Sequence, residues 1–239
     1  GTSDFLQLRS DGDFYVDKSL FVAEVLRDRS RVVLLPRPRR FGKTLNLSTL
    51  RYFVERPVDA GPKDGDVRRA FSGLEVEKSG EDVWGCFQKH PVIFLTFKDV
   101  KGHEWDVRGA FAHLIGREAM RLAPLFETVL KPTDRASLDD LANRRASSAL
   151  LEEALLLMSD WLHKATGEKV FILIDEYDTP IHDAFGDEEQ YEKVVAFFRN
   201  FFSAGLKDNP HLEKGVLTGI LRVAKESMFS GLNNLQVYS

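Results

Sequence analysis

The sequence predicts an α/β fold, in which a mainly parallel central sheet lies between two layers of helices. Short apolar runs without polar alternation recur along the chain, and helical patterns separate most of them. Such runs are typical of strands that are buried on both faces of a parallel sheet. We interpret as strands Val32–Leu35, Pro91–Phe97, Val170–Ile174, Gly215–Leu221 and the start of a fifth at Leu235–Tyr238. We expect the second of these runs to form a central strand.

Helical periodicity and terminal signals predict the helices between these strands. Apolar residues recur at helical spacing after Ser19, which we expect to be an N-cap. A helix that follows Lys43 should end near Glu55, because Pro57 cannot continue it. Further helices are expected at about Trp105–Leu122, Leu138–His163 and Glu189–Leu206, with Gly167 as the stop after the second. The segment from 57 to 80 is rich in Pro, Gly, Asp and Lys, and we expect a loop there with room for one short helix.

Composition narrows the class of protein. The chain has 239 residues, with 33 basic and 37 acidic side chains and a net charge of −4, so it lacks the basic excess of a generic nucleic-acid binder. Its single cysteine, Cys86, excludes an internal disulfide framework. The longest apolar runs are far shorter than the ~20 residues that span a bilayer, and no secretory signal opens the chain. We therefore expect a cytoplasmic protein with no membrane partner.

The segment Arg37–Thr44 resembles a phosphate-binding loop. It ends in Gly-Lys-Thr, the end of the P-loop pattern G-x-x-x-x-G-K-[ST], although Arg37 stands where that pattern has its first glycine. The segment follows the strand Val32–Leu35 and precedes a helix, as a P-loop does. In such a loop, backbone N–H groups and a helix N-terminus point at phosphate oxygens. The combination predicts a P-loop NTPase three-layer sandwich with helical insertions.

Each residue of this loop has an expected role. Gly42 lets the backbone approach phosphate, Lys43 would reach the β- and γ-phosphates, and the Thr44 hydroxyl would ligate Mg²⁺. The other predicted nucleotide-binding residues of the loop are Arg37, Arg39, Arg40, Phe41 and Leu45. The arginines either add charge to phosphate recognition, or pair with nearby acids or face solvent, and both interpretations stay open.

Two acids end the strongest strand of the sequence. Asp175 and Glu176 follow Val170–Ile174, so they should lie at the carboxyl edge of the sheet, where α/β folds bind ligands. Asp175 matches the Walker B aspartate that organises Mg²⁺, and Glu176 could orient or deprotonate an attacking water. The alternative is a strand that simply ends in two solvated acids.

The fourth strand carries further candidates at its end. If this strand lies beside the P-loop strand, Thr218 can sense the γ-phosphate. Arg222 or Lys225 could act in cis, or as a finger in trans on a neighbouring subunit. Structural roles for these residues remain open, as does a capping or acidic-edge role for Asp178. The predicted catalytic set is Lys43, Glu176 and Arg222, and the predicted metal ligands are Thr44 and Asp175.

These motifs together resemble the predicted AAA-ATPase-like family, P-loop ATPases related to signal-transduction and archaeal-type ATPases. The segments that carry the resemblance are Tyr15–Ser19, Arg37–Ser48, Pro91–Leu95, Leu173–Ile181 and Gly215–Ser227. The resemblance implies that Arg37 in place of glycine is the family's own pattern. It also implies a lid and a C-terminal PD-(D/E)xK nuclease-like domain after the last strand. We therefore expect a lead-in at 1–30 that contributes to the nucleotide site, and an AAA-like core at 31–239 that is truncated before both.

The function expected from these observations is Mg²⁺-dependent ATP binding and hydrolysis, coupled to a partner or to an attached effector domain. ATP and Mg²⁺ are the expected ligands, and self-association is a further expectation that stays open. Two alternatives remain. One is a nucleotide-gated interaction module that does not hydrolyse ATP. The other is the ATPase component of a nucleic-acid processing protein, although the cluster of arginines from 37 to 40 is too small to support it.

Overall fold

Five parallel strands form the sheet that the sequence predicts. The computed structural model describes residues 3–38, 40–58, 64–101, 104–184, 186–207, 209–220, 229 and 235–238. The strands are β1 (Val32–Pro36), β2 (Val92–Thr96), β3 (Val170–Asp175), β4 (Leu212–Gly219) and β5 (Leu235–Val237). Their order in space is β2-β3-β4-β1-β5, and every pairing is parallel. The carboxyl ends of the strands therefore meet at one edge of the sheet.

The predicted neighbour of the P-loop strand is confirmed, because β4 pairs with β1 in a register that sets Leu35 opposite Thr218. The expectation that the Pro91–Phe97 run forms a central strand is wrong: β2 lies at the edge of the described sheet. Its outward backbone groups are nevertheless bonded to side chains. Glu118 accepts from the Phe94 N–H at 2.7 Å, and Arg121 donates to the Val92 carbonyl at 2.8 Å. A covered edge of this kind permits an apolar sequence that looks central.

Ten α-helices are described, and several differ from the predicted bounds. They are α1 (Phe5–Ser10), α2 (Leu20–Arg27), α3 (Lys43–Val54), α4 (Asp64–Phe71), α5 (Glu81–Trp84), α6 (Glu104–Phe126), α7 (Pro132–Ala142), α8 (Ser148–Thr166), α9 (Thr179–Asp183) and α10 (Glu188–Phe202). The end of the helix after Lys43 is confirmed, and so is Gly167 as the stop of α8, with φ +73°. The segment from 57 to 80 contains α4 and a 3₁₀ helix rather than one short helix, and α10 gives way to a π-helical turn at Ser203–Lys207.

The single helix expected at Leu138–His163 is two helices, α7 and α8. Arg144, between them, has φ +58°, a left-handed conformation that a continuing helix cannot contain. The Ser147 hydroxyl then accepts from the Leu150 N–H at 3.2 Å and caps the start of α8. Ser19 precedes α2 as expected, but its side chain does not cap that helix. It accepts instead from the Val76 N–H at 3.0 Å.

Side chains on the two faces of the sheet pack into separate cores, which confirms the three-layer arrangement. Successive β3 residues alternate between them: Ile172 and Ile174 face one core, and Phe171 and Leu173 face the other. The first core contains α6, α8 and α10, and the second contains α1, α2 and α3. In the part of the chain that the structure describes, no helix combines the length and apolar character needed to cross a membrane.

Candidate nucleotide-binding site

The loop between β1 and α3 leaves the carboxyl edge of the sheet next to β4, the central strand. The Arg37 N–H donates to the Gly219 carbonyl at 3.0 Å, so the start of the loop is bonded to the end of β4. Arg40 and Gly42 both have positive φ, +69° and +75°. A Cβ built on Gly42 would meet no atom within 4 Å, so the position favours glycine for its backbone conformation rather than for space in the protein. Lys43 and Thr44, the first residues of α3 after this turn, line a cavity at this edge of the sheet.

Lys43 is the first residue of α3, and its side chain folds back over the loop. Its Nζ donates to the carbonyls of Arg37, at 2.7 Å, and Pro38, at 3.0 Å. These are neutral acceptors. A phosphate oxygen would offer the ammonium group a charge-assisted bond, which is roughly twice as strong as a neutral one. The ammonium group is therefore held at the loop, where a bound phosphate can replace the two carbonyls as its hydrogen-bond partner.

Asp175 connects three elements of the site at the end of β3. Its Oδ2 accepts a 2.7 Å hydrogen bond from the Thr44 hydroxyl on α3, and its Oδ1 accepts from the Thr218 hydroxyl on β4. Asp175 is only 2% exposed. β4 lies between β1 and β3, and Asp175 is therefore the residue that joins the start of α3 to the ends of β3 and β4.

The oxygen donors at this point suit Mg²⁺. The described residues contain no group of three or more His, Cys, Asp or Glu side chains that could hold a metal by themselves. Mg²⁺ is commonly held by one or two protein oxygens, with water and substrate phosphates completing its shell. The hydroxyl of Thr44 and the carboxylate of Asp175, already 2.7 Å apart, are a fitting pair for that kind of site.

Glu176 leaves the strand in a strained conformation. Its φ is +53°, which is uncommon for a residue with a side chain. The Tyr177 N–H donates to the Thr218 carbonyl at 3.1 Å and holds the chain in place directly after it. Burial, and next the Asp175 carboxylate, raise the pKa of Glu176, while Lys43 and Lys98 oppose the rise. Strain and a raised pKa at one carboxyl group are typical of functional sites.

Two cavities lie beside the loop, and Lys43 borders both. The first has a volume of about 830 Å³ and is lined by Arg40, Gly42, Lys43, Thr44, Leu45 and Glu176, together with residues of the β2 and β3 ends. The second, of about 380 Å³, is lined by Arg37, Phe41, Lys43 and Thr218, with Lys18, Leu20 and Phe21 from the lead-in. The first cavity therefore contains Glu176, and the second contains the apolar side chains of Leu20, Phe21 and Phe41.

Most of the predicted site residues thus lie around one loop. Arg39 and Arg222, and with them Lys225, lie outside the described residues. Arg37 and Arg40 are exposed and make no ion pair with an acid in the described ranges, so the pairing interpretation finds no support for these two. Asp178 is 3% exposed and accepts from the Ile220 N–H at 2.7 Å, and its side chain does not cap α9.

Sequence reasoning missed several residues of the cavity walls. Lys98, Lys101 and His182 line the first cavity, and Leu20 and Phe21 line the second. The sequence position of Lys98 could have identified it as a candidate, because it follows the end of a predicted strand just as Asp175 and Glu176 do. The lead-in residues carried no such signal, since their approach to the loop depends on how α2 packs.

Comparison with known proteins identifies the family of this chain. A family model described as "Predicted AAA-ATPase" matches residues 1–229. An "Uncharacterized protein in vnfD 5'region" from Azotobacter chroococcum mcd 1 is 32% identical to this chain over 239 residues, which cover 98% of this chain and 39% of that protein. The chain thus spans about 39% of the length of this relative. No solved structure matches. The chain belongs to the predicted AAA-ATPase family.

Proposed function

We propose that this domain binds ATP with Mg²⁺ at the loop from 37 to 44 and hydrolyses it. The observation that carries the proposal is the convergence of Thr44 and Thr218 on the buried Asp175 carboxylate, beside Lys43 and Glu176. A loop that ends in a lysine at a helix N-terminus binds anions, and paired acids at a strand end serve the terminal phosphate of a nucleotide. Their meeting at one edge of the sheet favours a nucleoside triphosphate over a simple anion.

Binding uses groups that are already in place. The phosphate chain lies against the loop and the N-terminus of α3, and the Lys43 ammonium exchanges the Arg37 and Pro38 carbonyls for phosphate oxygens. Arg40 adds charge from the wall of the first cavity. Thr44 and Asp175 would hold Mg²⁺, which when bound neutralises charge on the phosphate oxygens.

Hydrolysis is assigned to Glu176. Its carboxylate accepts a proton from a water molecule as the water oxygen attacks the γ-phosphorus, and the bond to the bridging oxygen of the β-phosphate breaks, which leaves ADP and phosphate. The Asp175–Thr218 hydrogen bond holds the end of β3 against β4 while this occurs. Arg222, or Lys225, remains the proposed source of a further positive charge in cis or in trans.

The lead-in at 1–30 contributes to the same site, and the core at 31–239 supplies the rest. Support comes from the second cavity, where Leu20 and Phe21 offer apolar surface on the far side of Lys43 from Glu176. The nucleoside part of the ligand lies there, because the phosphates occupy the other side. Tyr15 and Asp17, from the lead-in segment that carries the family resemblance, do not line this cavity. Asp17 instead accepts from the Glu75 N–H at 2.7 Å.

The nucleotide state is coupled to a partner or to an attached effector domain, which the greater length of the relative supports. Isothermal titration with MgADP tests the binding site itself. We expect the wild-type chain to bind, and Lys43→Ala to weaken binding at least about tenfold, since a hydrogen bond to a charged group contributes ~1.5–3 kcal/mol. Lys131→Ala, at an exposed lysine before α7, is the matched control and should bind as the wild type does. No binding by the wild type, or equal binding by Lys43→Ala, would contradict the proposal.

A further inference from the structure

The wall of the first cavity continues past Glu176 to the loop that follows β2. Thr96, the last residue of β2, pairs with Asp175, and the Phe97 N–H donates to the Asp175 carbonyl at 2.9 Å. The Phe97 side chain is fully buried, and the Val100 N–H donates to the Phe97 carbonyl at 2.9 Å. The backbone of Lys98 is therefore fixed next to the acidic end of β3 by main-chain hydrogen bonds on one side and by a buried ring on the other.

Lys98 directs a positive charge into this cavity. It lines the cavity together with Lys43, Thr44 and Glu176, and Lys43 and Lys98 are two cations whose charges act on the Glu176 carboxylate. Unlike Lys43, Lys98 makes no hydrogen bond or ion pair within the described residues, and its side chain is exposed. A lysine on a four-carbon stem can turn toward a ligand without giving up an existing partner.

The order of the strands decides which phosphate Lys98 can reach. The loop and Lys43 follow β1, Asp175 and Glu176 lie at the end of β3, and Lys98 follows β2. In the sheet, β2 and β1 lie on opposite sides of β3. A phosphate chain that is anchored at the loop presents its terminal group toward Glu176. The β-phosphate stays over the N-terminus of α3, so that only a third phosphate extends toward Lys98.

From this placement we infer that Lys98 binds the γ-phosphate and makes the site prefer a nucleoside triphosphate to a diphosphate. The inference rests on the proposed function. In this assignment, the end of β2 supplies the contact that distinguishes bound ATP from the product ADP. A charge-assisted bond to the γ-phosphate is lost once that phosphate leaves, so Lys98 contributes to triphosphate affinity alone.

Titration calorimetry with Mg²⁺, using ADP and a nonhydrolysable ATP analogue as the two ligands, tests this inference. We expect Lys98→Met to weaken binding of the ATP analogue about tenfold or more, the effect of one lost hydrogen bond to a charged group, and to leave ADP affinity unchanged. Lys98→Arg should recover most of the loss, because it keeps the charge. Lys101→Met is the matched control: this lysine lines the same cavity three residues further along, and its replacement should not separate the two ligands.

The outcomes distinguish the inference from the proposed function. If the wild type binds both ligands and Lys98→Met weakens both equally, or neither, the inference is wrong while the nucleotide site stands. If Lys101→Met reproduces the selective loss, the charge of the wall and not Lys98 itself sets the preference, which also overturns the assignment. If the wild type binds neither ligand, both the proposed function and the inference are overturned.

Discussion

The Thr44 hydroxyl donates a 2.7 Å hydrogen bond to the Asp175 carboxylate, although 131 positions separate the two residues in the sequence. The bond joins the first turn of α3 to the end of β3 across the intervening strand β4. Thr218 on β4 donates to the other oxygen of the same carboxylate. One oxygen of Asp175 thus bonds to α3 and the other bonds to β4. A displacement of Thr44 would therefore change the hydrogen bonding of the carboxylate at the end of β3.

Glu176→Gln should stop hydrolysis and preserve binding. Gln keeps the shape of the side chain but cannot accept a proton, and general-base catalysis commonly contributes ~10²–10⁴-fold to a rate. Phosphate release under single-turnover conditions measures the loss, and calorimetry measures the affinity for the ATP analogue.

The same pair of measurements decides between two functions. If the wild type binds the nucleotide but releases no phosphate above the rate measured without protein, the chain is a nucleotide-gated module that does not hydrolyse ATP. Glu189→Gln, at an acid in the exposed first turn of α10, is the control that should change neither quantity.

The stability of the wild type should depend on pH through Glu176. Burial and Asp175 raise the pKa of this group above its usual value of 4.5. The folded state then binds the proton more tightly than the unfolded state, so the contribution of the group to stability is fully present below about pH 4.5 and is lost as pH rises through the folded-state pKa. Urea unfolding of the wild type and of Glu176→Gln over this pH range measures the difference.

We expect Glu176→Gln to gain stability relative to the wild type as pH rises from 4 toward 7, because the Gln side chain never carries the partly buried charge. A difference in unfolding free energy between the two proteins that stays constant, or that changes in the opposite direction, would show that the environment of Glu176 does not favour its protonated form.

Leu20 should affect the nucleoside and not the phosphates. It is 46% exposed and lines the second cavity, beside Lys43. Leu20→Asn removes apolar surface from that wall, and we expect weaker binding of MgADP with unchanged binding of Mg-tripolyphosphate, which lacks a nucleoside. Val129→Asn is a close control, since Val129 is equally exposed at 46% and lies outside both cavities. An equal loss for both ligands would place the nucleoside elsewhere.

Arg121 should contribute strongly to stability by closing the edge of the sheet. Its guanidinium bonds to Glu118, Glu55 and the Val92 carbonyl, and Glu118 in turn holds the Phe94 N–H. Arg121→Met would leave Glu118, only 7% exposed, without its cation. Breaking a buried pair costs ~3–5 kcal/mol, and we expect about 2–4 kcal/mol here because the Arg121 side chain is 29% exposed.

Denaturant unfolding measures that loss, and a second substitution checks its cause. If the unpaired carboxylate is responsible, Arg121→Met combined with Glu118→Gln should be more stable than Arg121→Met alone. A double variant that is less stable than the single one would indicate that packing of the arginine stem, and not the charge of Glu118, accounts for the effect.

The central part of the site follows from rules of local sequence and sheet topology. The two acids after one buried strand and the Gly-Lys-Thr after another lie at the same edge of a parallel sheet, because the carboxyl ends of parallel strands share that edge. That reasoning predicted that Thr44 and Asp175 lie close together, and their hydrogen bond confirms it. The pairing of β4 with β1, on which the expectation for Thr218 depended, is also observed. These features depend on residues within each segment, so a single sequence contains them.

Other features depend on distant partners and could not be predicted in this way. The Val92–Thr96 strand has the apolar content of a central strand, because Glu118 and Arg121 from α6 satisfy its free edge. The predicted helix is interrupted at Arg144, where the sequence has no Gly or Pro that would predict a break. Ser19 resembles a helix cap but bonds across the fold to Val76. In each case a tertiary contact or a backbone conformation overrides the local pattern.

Thr44→Val removes one hydroxyl from the proposed metal site and keeps the size of the side chain, so it tests whether a metal and a nucleotide bind together there. The measurement is ADP affinity by calorimetry, with Mg²⁺ and with EDTA, for the wild type and the variant. We predict that Mg²⁺ strengthens binding to the wild type, that Thr44→Val loses most of this gain, and that its affinity in EDTA matches that of the wild type in EDTA. A Thr44→Val chain that keeps the full Mg²⁺-dependent gain, or a wild type that shows none, would contradict a metal–nucleotide site at Thr44 and Asp175.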